Sequence, residues 1–111
     1  MTAYRPRRSG ARWMQDAPEY VLACYDNGGP DNKRGGTVDR YTVMFGGSLW
    51  NPEMGRTVFH LDMSNSPSHP QGYSQWGEMP ASSRTGFGKH VRWLDLPEHI
   101  REHVVRRATQ D

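Results

Sequence analysis

The apolar positions of this chain fall into short alternating runs set between long polar stretches, and a helical rhythm emerges only near the end. The first run, Glu19 to Tyr25 (EYVLACY), is apolar on both faces, with Tyr20, Leu22 and Cys24 on one and Val21, Ala23 and Tyr25 on the other. This pattern predicts a strand buried on both sides. Val38 to Phe45 (VDRYTVMF) sets Tyr41, Val43 and Phe45 against Arg40, Thr42 and Met44, which predicts a half-buried antiparallel strand. Arg56 to Met63 alternates again: Thr57, Phe59, Leu61 and Met63 form the expected core face, and His60 and Asp62 point together to the other. His90 to Trp93 suits one more short strand.

The helical rhythm follows. Leu96, Ile100, Val104 and Ala108 recur at helical spacing and make one apolar stripe. Asp95 is the expected N-cap, Pro97 lies in the first turn, Glu98 follows, and Arg106 and Arg107 suit the C-terminal end of the helix dipole. Together these elements predict an α+β fold: a small twisted antiparallel sheet of three to four strands, with the C-terminal helix packed on one face and long loops at one end.

The polar stretches read as connections. Asp26 to Thr37 (DNGGPDNKRGGT) is dense in turn formers and predicts a long hairpin connection, and Gly46 to Gly55 (GGSLWNPEMG) predicts a second glycine-bounded loop. Residues 1–18 lack periodicity and read as a flexible basic arm ahead of a single domain at 19–111, with Trp13 and Met14 able to dock its end.

Composition thins the expected core. Over 111 residues the hydrophobic fraction is 34% and the mean hydropathy is -0.90, while four Trp, five Tyr and three Phe supply aromatic bulk. A net charge of +2 permits nucleic-acid contact without demanding it, and Arg5, Arg7, Arg8 and Arg12 concentrate the excess in the arm. One cysteine, Cys24, excludes an intrachain disulfide and a Cys-based zinc cage, and it fits a reducing compartment. With no long apolar run, the expectation is a soluble cytoplasmic protein with no membrane association.

Candidate chemistry is sparse. His60-Leu61-Asp62 has a His-x-Asp spacing that His69 or His90 can complete as a metal triad, with Glu78 as a further oxygen ligand, which would permit metal-assisted hydrolysis. A solvated strand face is the plainer reading of the same residues. Ser64, Ser66 or Ser74 with His69 and Asp62 or Glu78 supply the types of a hydrolytic triad, but no Gly-x-Ser-x-Gly elbow occurs. Cys24 inside an apolar strand is a poor nucleophile. Lys33 and Arg34 among glycines can touch a phosphate but lack a P-loop pattern. The arm arginines with Trp13, Trp50, Tyr73 and Trp76 offer phosphate contacts and base stacking, a nucleic-acid reading that is not favoured. No cofactor is implied.

Met63 to Glu78 (MSNSPSHPQGYSQWGE) reads as a long polar loop carrying His69, Tyr73 and Trp76. Adaptable Asn, Gln and Ser side chains beside stiffening prolines and rings are common to binding surfaces. A self-packed Ω-type loop is the alternative. The expected contact residues are His69, Gln71, Tyr73, Gln75 and Trp76, with Asp39 and Arg40 as neighbours, in a non-catalytic binding protein.

The blocks CYDNGG, DRYTVMF, MSNSPSHPQGYSQWGE and GKHVRWLDLPEHIREHV, in this order over residues 20–105, resemble a family of small bacteriophage and prophage proteins. The resemblance implies a setting, a phage product acting in the host bacterial cytoplasm, and assigns no activity. The expected partner is then a host bacterial protein or a small polar ligand, with a second copy of the chain able to cover a sheet edge.

Overall fold

Alternating runs can satisfy their backbone groups only by pairing, and the computed structural model, which describes residues 9–28, 40–70, 72–81 and 87–110, shows how they pair. Among these residues the chain forms β1 (Val21–Asp26), β2 (Tyr41–Asn51), β3 (Gly55–Met63), β4 (Ser74–Pro80) and β5 (Lys89–Val91). A single 3-10 turn at Trp93–Asp95 precedes α1 (Glu98–Gln110). The strands make one five-stranded sheet in the order β4-β3-β2-β1-β5, with every neighbouring pair antiparallel. The α+β class is as expected, but the strand count exceeds three to four.

The additional strand is β4, whose sequence SQWGEMP carries few β-formers and reads as loop. It forms at the sheet edge, where only one side needs a partner, and it ends at Pro80, a residue with no N–H to offer the ladder.

Each sheet face carries its own core. On the helix side Val21, Cys24, Tyr41, Val43, Phe45, Leu61 and Met63 pack with Leu96, Ile100 and Val104, so the stripe read from the sequence is the buried one. On the second side Leu22, Ala23, Met44 and Val58 pack with Ala81, Tyr25, Met79 and Phe87. The Tyr41–Phe45 half of β2 is therefore buried on both faces rather than one, because Thr42 and Met44 are covered too. The expected faces of β1 also shift: the register slips between Val21 and Ala23, and that irregularity turns Leu22 and Ala23 to the same side.

Two loop expectations change. GGSLW is part of β2, accommodated by a register shift between Phe45 and Leu49, so the true turn spans only 51–55. There Asn51 Oδ1 accepts the backbone N–H groups of Glu53 (2.8 Å) and Met54 (3.1 Å), and Gly55 takes the left-handed φ of 76° that closes the hairpin. Asp95 does not cap α1. Its carboxylate accepts the Arg92 N–H (3.0 Å) and closes the 3-10 turn, while the Pro97 carbonyl starts α1 by accepting from Ile100 (3.0 Å) and Arg101 (3.1 Å).

The described part of the expected arm is docked. Ser9 N–H donates to the Leu22 carbonyl (3.0 Å), Met14 is buried, and the Trp13 carbonyl accepts from Trp93 (3.0 Å). Residues 1–8 lie outside the described residues.

One line of side-chain hydrogen bonds crosses four strands, and a ring contact carries it to the fifth. Gly88 N–H, just before β5, donates to Asn27 Oδ1 (2.7 Å); Asn27 Nδ2, just after β1, donates to Thr42 Oγ1 on β2 (2.8 Å). Thr42 donates to Asp62 Oδ1 on β3 (2.8 Å), which also accepts from His60 Nδ1 (3.1 Å). The His60 ring then lies on the backbone of β4 at Gly77, where a Cβ would approach Cε1 to 2.4 Å. Gly77→Ala is expected to destabilise the protein by about 1–3 kcal/mol, with partial recovery in the Gly77→Ala/His60→Ala double variant. Chemical denaturation of the four proteins of that cycle measures the coupling, and strict additivity would contradict the contact.

Candidate functional site

The stretch from Met63 to Glu78 resolves into a loop and a strand, because Ser74 to Glu78 belong to β4. The loop is pinned at its neck: Ser64 N–H donates to the Tyr73 carbonyl (2.9 Å) and Tyr73 N–H to Ser64 Oγ (2.9 Å). Within it His69 N–H reaches the Ser66 carbonyl (3.1 Å) and Gly72 N–H the His69 carbonyl (2.7 Å). Glycine is required at position 72, where a Cβ would meet the Ser66 carbonyl oxygen at 2.0 Å.

Helix α1 holds the loop from the side. His99 Nε2 donates to the Asn65 carbonyl (2.8 Å), and His103, buried, lies 3.4 Å from Ser68 Oγ through Nδ1 and 2.8 Å from Ser74 Oγ through Nε2. Arg107 Nη1 donates to the same Ser74 Oγ (2.8 Å). These three residues form a polar stripe at the same four-residue spacing as the apolar one. Sequence reading missed the stripe, although its period was available.

The pleat separates the expected contact residues. Trp76 faces the helix-side core, its ring 4.9 Å from Phe45 and 5.6 Å beneath the Arg107 guanidinium. Tyr73 donates its hydroxyl to Gln75 Oε1, two residues along, and Gln75 lies on the face opposite Trp76, paired with Asp62. His69 stands exposed at the loop tip with Asn65, Ser66, Ser68 and Pro70. Beside it, Ser64, Asn65, Ser66, His69 and Gly72 line a shallow cleft of about 350 Å³. Gln71 and Asp39 lie outside the described residues. The register brings Arg40 next to the loop's neck, but its guanidinium is bound to Asp26 on β1.

The His60 and Asp62 side chains do share a face, but they are engaged with Thr42 and with each other. Among the described residues no three His, Cys, Asp or Glu side chains converge on a metal position, so His69 and His90 do not complete that pair. His90 instead stacks on Trp13 at 4.2 Å and hydrogen-bonds Ser9 Oγ (3.0 Å). Cys24 is buried, and desolvation pushes its thiol up to about 12, which suppresses the nucleophilic thiolate. Lys33 and Arg34 lie outside the described residues, as do Arg5, Arg7 and Arg8.

A second concavity was not legible in the sequence. Arg12, Trp13, Asp26, Tyr41, Lys89, His90, Val91, Arg92 and Asp95 line a cleft of about 490 Å³ between residues 12–13, the end of β1 and β5. Burial raises the Asp26 carboxyl, but the hydrogen bonds from Arg40 and Gly28 and the charges of Arg40 and Lys89 outweigh it and hold the group below its usual range. On the rim, hydrogen bonds from the Arg92 side chain and backbone hold Asp95 down at about 2. Burial raises the Tyr41 phenol, so it stays protonated.

No family model, curated protein or solved structure matches the chain. No helix among the described residues is long and apolar enough to cross a membrane.

Two outcomes follow from this geometry. Trp76→Ala is expected to cost about 2 kcal/mol of stability, since a half-buried ring leaves both Phe45 and Arg107, and Tyr73→Phe less than about 1 kcal/mol. Urea melts of both variants distinguish packing from surface chemistry. Because Asp26 is depressed in the folded state, its pairing stabilises above the unfolded carboxyl value and is lost as pH falls through the folded one. Arg40→Ala should therefore flatten the stability-versus-pH curve below about pH 4 and shift it by about 1 kcal/mol or less, the two side chains being partly exposed.

Proposed function

We propose that the protein is a non-catalytic binding protein whose recognition surface is the loop tip at Asn65–Pro70 together with Tyr73 and Gln75. The observation that carries this reading is a loop held rigidly at its neck and by α1 while its outward side chains stay exposed. A loop that is already ordered loses little entropy when it is bound. Its hydrogen-bonding groups suit a polar partner surface, and in the phage setting suggested by the sequence blocks that partner is a host bacterial protein. Trp76 acts beneath this surface as support.

Catalysis is less well supported, since His60 and Asp62 are engaged within the sheet and, among the described residues, they form no metal-holding group with His69. The test compares affinity capture from bacterial lysate by the wild-type chain and by the His69→Ala/Gln75→Ala variant, with matched melting temperatures. A protein recovered stoichiometrically by the wild type and reduced about tenfold or more by the variant supports the reading. Equal recovery by both, or no specific recovery by either, contradicts it.

A further inference from the structure

The cleft between Trp13 and β5 has an uneven charge arrangement. Its two carboxylates are each already bound by an arginine: Asp26 takes Arg40 Nε at 2.8 Å and Nη2 at 3.3 Å, and Asp95 takes Arg92 Nη2 at 2.8 Å and Nε at 3.1 and 3.2 Å. Two further cations line the same cleft, Arg12 and Lys89, and among the described residues neither has a carboxylate within ion-pair distance. The charge of Lys89 lowers both aspartates, so the ammonium lies within electrostatic reach of each neutralised pair. An excess of two positive charges is left in the cleft.

The rest of the cleft is firm. Trp13 and His90 are stacked within 18° of parallel, His90 is also 5.4 Å from Tyr25, and the Trp13 carbonyl is bonded to Trp93. The Arg12 guanidinium lies 5.9 Å over the other part of this aromatic wall, at Trp13. Tyr41 reaches the cleft from β2 with a phenol that stays protonated and can donate. A volume of about 490 Å³ exceeds what a bare inorganic anion fills.

We propose that this cleft binds the phosphate group of a nucleotide-sized ligand, with Arg12 and Lys89 as the residues that hold the phosphate. A guanidinium fork and a compact ammonium lining one cleft suit a doubly charged tetrahedral anion, and the space left beyond them suits an attached organic body. A free mononucleotide and a nucleotide within single-stranded nucleic acid present this same chemistry. The site is separate from the loop surface proposed above and shares no contact residue with it.

The test is an NMR titration of the isotope-labelled full chain with inorganic phosphate, adenosine monophosphate, adenosine and a short thymidine oligonucleotide. Saturable shifts at Trp13, Lys89 and His90 are expected with adenosine monophosphate, inorganic phosphate binding about tenfold more weakly and adenosine producing none. Tighter binding of the oligonucleotide than of the mononucleotide, falling steeply with salt, assigns the source as nucleic acid. The reverse order assigns it as a free nucleotide. Arg12→Gln/Lys89→Gln should raise Kd about tenfold or more, while Arg106→Gln on the exposed side of α1 should leave it unchanged. Both cleft residues are exposed, and the two single variants give the same ranking if the double variant melts early. No saturable shift at the cleft with any phosphate-bearing probe up to about 10 mM would overturn the proposal, as would an unchanged Kd in the folded variants.

Discussion

The buried hydroxyl of Thr42 is the constraint on which the sheet depends. It lies at 1% exposure near the start of β2, where the strand is covered on both faces and an unsatisfied polar group would cost about 1–3 kcal/mol. Its lone pair and its proton are both assigned, the first to Asn27 and the second to Asp62. Because those partners come from flanking strands, satisfying one hydroxyl fixes the relative placement of β1, β2 and β3. His60 and Gly88 extend the same line to the outer strands, and Gly77 is small because the imidazole must lie against it. The His-x-Asp spacing that resembles half a metal site is thus explained by packing.

Helix α1 works on two neighbouring stripes. One buries Ile100 and Val104 against the sheet, and the other carries His99, His103 and Arg107 to the loop. A single element closes the core and orders the longest polar segment, so the loop's rigidity is tied to the stability of the helix. Trp76 joins the two functions: its ring belongs to the helix-side core, and Arg107, which covers that ring, also binds Ser74.

Much of this was legible in the chain. The stripe at Leu96, Ile100 and Val104 reported its helix because those positions bury on one side, and the alternation at Arg56 to Met63 reported its strand although Val58 is buried on the other face as well. Strand β4 escaped because an edge strand need bury only one set of contacts, and SQWGEMP reads as loop by propensity. The face assignment in β1 failed at an irregularity that no spacing announces. The rings Tyr73 and Trp76 read as a pair while the segment was taken for loop, but once Gln75 and Trp76 enter a pleated strand they point to opposite sides. The cleft at Trp13 draws on residues from distant parts of the chain, and only the fold brings Arg12 to Lys89.

The polar side chains of this protein therefore divide into those consumed by the fold and those left to face outward. His60 and Asp62 look reactive in sequence, yet they are engaged with each other, and Asp26 and Asp95 are each engaged by an arginine. What stays available is charge without a paired carboxylate at Arg12 and Lys89, and hydrogen-bonding capacity at the loop tip. Each is mounted on a part of the molecule that the sheet or the helix already contacts: residues 9–14 bond β1 and Trp93, and the loop bonds α1.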